Sequence, residues 1–220
     1  MKLFLDTANT AEIKKAFDTG LLDGVTTNPS LAAKEHRDFN ELVREILSIF
    51  KGTDKILNLE VISTRAKDMI LEARKLAVKS KNVVVKIPMT HDGLIAVQEL
   101  SKLKIRTNVT LCFSSAQALL AAKAGAYIIS PFIGRIDDHS GHGMEVIDEI
   151  RKIYDNYNFK TQILVASIRS PRQVVDSALI GADICTVPYD IFDKLFRHPL
   201  TDSGLRKFLE DWHEAQRWKH

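Results

Sequence analysis

Short runs of apolar and β-branched residues recur along the chain, and longer stretches with helical spacing of apolar positions lie between them. Eight runs predict strands at 3–5, 24–27, 56–62, 83–87, 106–111, 127–132, 162–167 and 184–187. Amphipathic stretches predict helices that begin near Thr10 and that span 39–50, 64–79, 92–103, 114–124, 143–154, 171–180 and 189–196. The chain therefore alternates strand and helix from end to end.

This alternation predicts parallel strands, because their centres lie roughly 20 to 36 residues apart, which leaves room for a helical crossover. Eight such units favour a closed (β/α)8 barrel, although an open doubly wound sheet gives a similar pattern. Polar residues at or near the carboxyl ends of the runs decide between the two folds. They are Asp6, Asn28, Glu60, Lys86, Asn108, Thr110, Ser130 and Ser167. Only a barrel brings all these ends to one mouth, so we predict a barrel.

Residues 1–220 read as a single barrel domain, since no linker, charge block or low-complexity segment interrupts them. The segment 202–220 predicts an additional C-terminal helix, with Thr201, Asp202 or Ser203 as its N-cap. Its apolar residues, Leu205, Phe208, Leu209 and Trp212, lie at helical spacing. We consider two positions for this helix, against its own barrel or against a neighbouring subunit.

Composition is that of a soluble globular protein, with 45% hydrophobic and 27% charged residues. The 31 basic and 28 acidic residues are intermixed, so no nucleic acid or membrane partner is expected. No signal peptide or apolar run of membrane-spanning length is apparent, which predicts a cytoplasmic protein. Cys112 and Cys185 lie within predicted strands, and we interpret both as reduced and buried.

The sequence V-V-V-K-I-P places Lys86 among apolar neighbours at the end of the fourth predicted strand. Burial there disfavours the ammonium and favours the neutral amine, which can attack a carbonyl carbon and form a Schiff base. Alternatively, the lysine stem follows the sheet and its head reaches water. Asp6 and Glu60 would flank the amine and transfer protons, and Thr110 could hold the water that is released. Asn9 and Thr10 can cap the first helix, which leaves Asp6 free.

Two arginines, Arg135 and Arg169, follow late strands and predict an anion site, to which Ser167 can add a hydroxyl. The alternative for either arginine is a surface salt bridge. No phosphate-binding glycine loop of the nucleotide type follows a strand, so no nucleotide cofactor is indicated.

One short segment, D-D-H-S-G-H-G, contains His139 and His142 and has a composition typical of metal sites. We interpret Asp137, Asp138 and the glycines as a turn followed by a helix start before Met144, and predict no metal. Trp212 and Trp218 are interpreted as packing residues rather than a stacking surface for nucleic acid bases.

Several motifs together resemble the transaldolase family, specifically its short members, which include the fructose-6-phosphate aldolases. They are F-L-D-T-A from Phe4, G-V-T-T-N-P-S from Gly24, V-V-K-I-P from Val84, N-V-T-L-C-F-S from Asn108, S-P-F-I-G-R from Ser130 and A-S-I-R from Ala166. The resemblance covers nearly the whole chain, and it is the combination of motifs that makes it specific.

The resemblance implies a (β/α)8 barrel in which Lys86 is the Schiff-base nucleophile and Asp6 transfers a proton. It also implies hydroxyl ligands at Asn28 and Asn108 and a residue that assists the catalytic water at Thr110. Ser130 would contact the dihydroxyacetone portion of the substrate. The implied phosphate site consists of Arg135, Ser167 and Arg169. No metal or organic cofactor is implied, and short members form rings of subunits, a pentamer or decamer, that use the last helix.

Two positions separate the branches of the family, because the aldolase branch has glutamine in place of Glu60 and tyrosine in place of Phe132. This chain has the transaldolase pattern at both, and departs from the usual Phe-Arg pair only at Ile168. The expected reaction transfers dihydroxyacetone between sugar phosphates, from sedoheptulose 7-phosphate to glyceraldehyde 3-phosphate. The alternatives are an aldolase that releases free dihydroxyacetone and a sugar-phosphate-binding barrel without turnover.

Overall fold

The computed structural model describes residues 1–217, and eight parallel strands in it close into a barrel in chain order. The strands are β1 Lys2–Asp6, β2 Gly24–Thr26, β3 Ile56–Glu60, β4 Val83–Pro88, β5 Thr107–Cys112, β6 Ile128–Pro131, β7 Gln162–Val165 and β8 Ile184–Val187. Closure is achieved by β1, which pairs with β2 on one side and β8 on the other. The predicted barrel is confirmed, and the open sheet is excluded.

Helices follow every strand. They are α1 Thr10–Asp18, α2 Pro29–Lys34, α3 Phe39–Ile49, α4 Ala66–Ala77, α5 His91–Lys102, α6 Ser115–Lys123, α7 Ile133–Asp138, α8 Gly143–Asn156, α9 Pro171–Ile180, α10 Tyr189–Lys194 and α11 Pro199–Arg217. Two of them, α2 and α7, lie outside every predicted helix; each has six residues, too few to show a clear apolar periodicity. The turn predicted at Asp137 and Asp138 is therefore wrong: both end α7, although α8 starts before Met144 as predicted.

Even-numbered strand residues point into the barrel and form two layers, except at the end of β5, where the register shift after Val109 turns Cys112 to the outer face. The lower layer is apolar and forms a cluster of its own; we call it the floor, defined as Phe4, Ile56, Val84, Ile128, Leu164 and Ile184. Gly24 makes room for it, since a Cβ at this position would lie 2.7 Å from Cζ of Phe4 and 2.6 Å from the Ile56 carbonyl oxygen. The next inward residues toward the carboxyl ends of the strands are polar, and they begin the mouth of the barrel.

The larger core lies between the outer face of the sheet and the helices, where odd-numbered strand residues such as Leu5, Leu57 and Val85 are fully buried. Cys112 and Cys185 belong to this layer, and both are buried free thiols as predicted. Burial raises the pKa of Cys112 to about 11 and that of Cys185 to about 12, which keeps both thiols protonated and unreactive near neutral pH.

The C-terminal helix α11 is present but begins at Pro199, three residues before the predicted start. Thr201, Asp202 and Ser203 consequently lie within its first turns and do not cap it, because proline at the first helical position sets the start. The backbone N–H of Leu200 instead donates to Nδ1 of His198 over 3.1 Å.

No residue of α11 is buried, and the side chains predicted to pack lie on its surface. Phe208 is 72% exposed and Trp212 60% exposed. Packing of this helix on its own barrel is therefore wrong for the residues through 217; the end of the predicted helix, including Trp218, lies outside the described residues. Across residues 1–217, no helix is both long and apolar enough to span a membrane.

Candidate active site

An ion pair inside the barrel mouth joins neighbouring strands β3 and β4. Nζ of Lys86 lies 2.9 Å from Oε2 of Glu60 and donates a hydrogen bond to the carbonyl oxygen of Thr27 over 3.0 Å. Glu60 and Lys86 are direct partners in the parallel register, which places both side chains on the inner face. Lys86 is only 4% exposed, so its head lies within the mouth and not in bulk water. A buried pair of this kind depends on each partner to offset the other's desolvation.

Asp6 ends β1 beside this pair and is held by its neighbour on β2. The hydroxyl of Thr26 donates to Oδ1 of Asp6 over 2.7 Å. Asn9, and not Asp6, caps α1, as the sequence suggested was possible. Burial raises the pKa of Asp6, while the Thr26 hydrogen bond and the positive charge of Lys86 oppose that rise and the charge of Glu60 adds to it. A carboxyl group with a raised pKa next to an amine is suited to proton transfer near neutral pH.

A second network of buried polar groups crosses the mouth from β6 to β3. The hydroxyl of Ser130 donates to Oδ1 of Asn108 over 2.7 Å, and Nδ2 of Asn108 donates to Oδ1 of Asn58 over 3.0 Å. Asn58 in turn donates to the carbonyl oxygen of Val25 over 3.1 Å. These contacts fix the orientation of the Asn108 amide and leave its second N–H available to a ligand.

Thr110, two residues after Asn108, is fully buried, and its hydroxyl has no hydrogen-bond partner among residues 1–217. Buried hydroxyl groups without partners are rare in proteins. The strand is irregular just beyond it, where the register shifts between Val109 and Cys112 and Leu111 has a φ of 58°. A leucine in the left-handed region is strained, and such strain clusters at functional sites. The Thr110 hydroxyl can serve a bound molecule.

The mouth contains a cavity of about 100 Å³. Among its lining residues are seven of the predicted site residues: Asp6, Asn28, Lys86, Ser130, Phe132, Arg135 and Ser167. Asn28 caps α2, because its Oδ1 accepts a hydrogen bond from the Leu31 N–H over 2.9 Å, which orients the amide and leaves its Nδ2 group to donate to a ligand. Glu60 and Asn108 adjoin this group through their contacts with Lys86 and Ser130.

The two arginines lie in different surroundings. The guanidinium of Arg135, on α7, stacks over the Phe132 ring at 4.9 Å from the ring centroid, and among residues 1–217 it forms no salt bridge. Arg169, which is half exposed, forms a two-pronged ion pair with Asp138. This pairing lowers the pKa of Asp138 and raises that of Arg169. The salt-bridge alternative thus describes the resting state of Arg169 but not that of Arg135.

Gly134 lets α7 approach the loop after β7. A Cβ at Gly134 would lie 2.8 Å from Oγ of Ser167 and 2.7 Å from Nε of Arg169. Ser167 itself has a φ of 62°, which turns the chain at this point. Ser167 and Arg169 therefore both approach Gly134, the residue before Arg135, but only Arg135 and Ser167 line the cavity.

Sequence reasoning missed four polar residues of the mouth: Thr26, Asn58, Asp138 and Thr186. Three of them could have been found from strand alternation, because each lies two residues beyond an inward-facing position, at Gly24, Ile56 and Ile184. Asp138 gave no such signal, since it pairs with a residue 31 positions away. Residues 1–217 contain no cluster of three or more metal-ligating side chains, at His139 and His142 or elsewhere.

Fold and site together define a (β/α)8 barrel whose mouth combines a buried lysine, two carboxylates and one arginine, Arg135, with Arg169 on the neighbouring loop. The family described as Transaldolase/Fructose-6-phosphate aldolase matches residues 3–219. A probable transaldolase of Aquifex aeolicus is 58% identical over 215 residues, which are 98% of both chains. A probable transaldolase of Geobacter sp. strain M21 is 55% identical and covers 98% of this chain and 99% of its own. The chain belongs to the transaldolase/fructose-6-phosphate aldolase family.

Among solved structures, a thiamine phosphate pyrophosphorylase from Pyrococcus furiosus aligns with a TM-score of 0.60 over 85% of each chain. Its sequence is 14% identical to this one. At that identity the likeness concerns the barrel fold alone.

Proposed function

We propose that this protein is a transaldolase, which transfers a dihydroxyacetone unit between sugar phosphates through a Schiff base on Lys86. The observation that carries the proposal is the buried lysine amine held 2.9 Å from the Glu60 carboxylate, beside the raised-pKa carboxyl of Asp6. An enzyme with these parts holds a nucleophile and two proton carriers in one water-poor site. Glutamate at position 60 and phenylalanine at position 132 favour transfer over simple aldol cleavage.

The first step forms the covalent bond to the donor ketose. Glu60 takes a proton from the Lys86 ammonium, and the free amine attacks the ketose carbonyl carbon. Glu60 returns that proton to the carbonyl oxygen, which gives a carbinolamine whose nitrogen still carries an extra proton. Glu60 then takes this second proton from the nitrogen and passes it to the carbinolamine hydroxyl. The carbon–oxygen bond breaks, water leaves, and the nitrogen lone pair forms the iminium ion. The unpartnered hydroxyl of Thr110 is available to hold that water.

The second step breaks the bond between the third and fourth carbons. Asp6 accepts the proton of the fourth-carbon hydroxyl while the bonding electrons move into the iminium, which becomes a neutral enamine. The fourth carbon leaves as the aldehyde of an aldose phosphate. In this proposal Asn28, Asn108 and Ser130 bind the substrate hydroxyls. Asn28 and Ser130 line the cavity, and Asn108 adjoins it through its hydrogen bond from Ser130, which supports that role. A second aldose phosphate then reacts with the enamine by the reverse steps.

A transaldolase keeps the enamine bound to Lys86 until the second aldose phosphate arrives, whereas an aldolase protonates and hydrolyses it and releases free dihydroxyacetone. Phe132 lines the cavity and cannot hydrogen-bond a water, so it offers no support for protonation or hydrolysis of the enamine. The phosphate groups would bind at Arg135, Ser167 and Arg169, where guanidinium groups recognise them bidentately. Because Arg169 is paired with Asp138 in the resting protein, phosphate binding requires it to share or exchange that partner.

The test is a product analysis with fructose 6-phosphate as donor and erythrose 4-phosphate as acceptor. We expect sedoheptulose 7-phosphate and glyceraldehyde 3-phosphate, the reverse of the pentose phosphate pathway reaction, with little free dihydroxyacetone. Phe132→Tyr should raise the share of free dihydroxyacetone by about tenfold, since a phenol can position a water. If the parent protein releases dihydroxyacetone as fast as it transfers it, the aldolase alternative is correct. Binding of sugar phosphates without any turnover would identify the sugar-phosphate-binding barrel.

We also propose that the protein acts in the cytoplasm as a homo-oligomer, a ring of five or ten subunits, with α11 seated on a neighbouring subunit. Support comes from the exposed apolar side chains of this helix, including Leu205, Phe208 and Trp212, which its own barrel leaves uncovered. Light scattering on the full chain and on a chain ending at His198 tests this. The shortened chain should give a smaller species, and a monomeric full chain would contradict the proposal.

A further inference from the structure

A chain of hydroxyl groups runs beneath Asp6 from one side of β1 to the other. Oγ1 of Thr186, on β8, lies 2.7 Å from Oγ1 of Thr26, on β2, and Thr26 lies 2.7 Å from Oδ1 of Asp6. Both threonines are buried inside the barrel. They meet because β1 is paired with both of their strands and both side chains point inward, level with the boundary between floor and mouth.

The direction of these hydrogen bonds follows from counting protons. A threonine hydroxyl has one proton to donate, and an ionised carboxylate can only accept. With Asp6 ionised, the Thr26 proton therefore points at Asp6, and the bond between the two threonines must be donated by Thr186. Within residues 1–217, Thr26 is the one hydrogen-bond partner of the Thr186 hydroxyl, so that proton has no competing acceptor there. The hydroxyl of Thr186 consequently donates to Thr26, and that of Thr26 donates to Asp6.

We propose that Thr186 is a positioning residue for the proton-transfer step, which acts through Thr26 to hold the Asp6 carboxylate ionised and correctly oriented. This inference rests on the proposed role of Asp6 as proton acceptor and adds two residues, Thr26 and Thr186, that tune that group. Hydrogen bonds in a buried chain strengthen one another, so the donation from Thr186 makes Thr26 a better donor to the carboxylate.

Burial and neighbouring charged groups also influence the ionisation of Asp6. Lys86 on β4 and Arg135 on α7 favour the ionised carboxylate, whereas burial and the negative charge of Glu60 on β3 disfavour it. Burial is the largest of these effects and raises the pKa of Asp6. The hydroxyl chain therefore opposes the main influence on the group that takes the substrate proton.

The experiment compares the parent with Thr26→Val, Thr186→Val, Thr186→Ser and a matched control, Thr107→Val. Thr107 is also a buried strand threonine, but its hydroxyl has no partner among the described residues and lies on the outer side of β5. Two quantities are measured: the acidic limb of the kcat/KM profile against pH, and the titration of the Asp6 carboxyl carbon by NMR, assigned with Asp6→Asn.

We expect Thr26→Val to move both quantities up by about 1–2 pH units, the size of a lost hydrogen bond to a charged group. Thr186→Val should move them in the same direction by about 0.3 pH units, since it weakens that bond without removing it. Thr186→Ser should restore the parent values, and Thr107→Val should leave them unchanged. In the Asp6→Asn background, Thr186→Val should have no further effect on the residual rate.

The inference is overturned if Thr186→Val matches the parent or Thr107→Val in the NMR titration, or if its effect persists without the Asp6 carboxylate. Should Thr186→Val not fold, Thr186→Ala takes its place with the same expected shift. The NMR reading does not depend on turnover. If the NMR shift is observed but the protein catalyses no transfer, the inference about the hydroxyl chain stands and the proposed function is contradicted.

Discussion

The floor and the mouth of the barrel are built from the same strands, and residues only two positions apart belong to layers of opposite character. Val84 lies in the apolar floor, whereas Lys86 on the same strand is ion-paired in the mouth. Phe4 and Asp6 on β1 form an equivalent pair. Floor residues stabilise the barrel by removing apolar surface from water. Mouth residues bury polar groups that cost stability unless they are paired, and they are retained where chemistry needs them.

The largest effect should follow from replacing the lysine of the mouth. Lys86→Met removes the nucleophile, so we expect transfer to fall by at least about a thousandfold. It also leaves the partly buried carboxylate of Glu60 without its partner, which should lower the free energy of unfolding by about 1–3 kcal/mol. The double variant Lys86→Met/Glu60→Gln should regain much of that stability but no activity. Chemical denaturation and the transfer assay measure the two quantities separately. Activity in the single variant, or a double variant less stable than the single one, would contradict this assignment.

A matched pair of substitutions on β6 tests the two layers directly. Ile128→Ala leaves a cavity in the floor and should lower the free energy of unfolding by about 2–4 kcal/mol. Its kcat/KM should stay within about threefold of that of the parent at 25 °C. Ser130→Ala removes the donor to Asn108 and should cost only about 1 kcal/mol, but reduce kcat/KM by about 10- to 100-fold. If both variants lose stability and activity in the same proportion, the layers are not functionally distinct.

The smallest effect concerns the charge of Asp6 and its dependence on pH. Burial raises the pKa of Asp6, so the folded protein keeps this proton to higher pH than the unfolded chain does. The contribution of Asp6 to stability is therefore complete below the ordinary aspartate pKa and is lost as pH rises through the raised value. Asp6→Asn does not titrate and can still accept the Thr26 hydrogen bond. The free energy of unfolding of Asp6→Asn should therefore equal that of the parent in acid and exceed it at neutral pH. Denaturation at several pH values measures this difference. A difference independent of pH would argue against a raised pKa.

Local patterns were sufficient to predict most of the fold and many residues of the mouth. Inward and outward positions alternate along each strand, so Lys86, Glu60 and Asn108 could be placed on the inner face once a barrel was assumed. The family motifs then suggested their roles. The start of α11 was misjudged because capping residues at 201–203 looked suitable, while Pro199 begins the helix three residues earlier.

Contacts between distant parts of the chain could not be predicted in the same way. Thr26 and Thr186 are 160 positions apart and meet only because the barrel closes at β1. The pair of Asp138 and Arg169 depends on α7, a helix too short to give a periodic signal. Such contacts determine how the predicted residues are oriented and charged, and they require the assembled barrel.

Borohydride reduction in the presence of fructose 6-phosphate, followed by peptide mass analysis, tests the central claim most directly. We predict a reduced three-carbon or six-carbon sugar adduct on the peptide that contains Lys86, and no adduct in Lys86→Met. Reduction traps the iminium only if the buried amine has bonded to the ketose carbon. Absence of an adduct on Lys86, with the sugar phosphate still bound, would contradict the Schiff-base mechanism and leave a binding barrel as the better description.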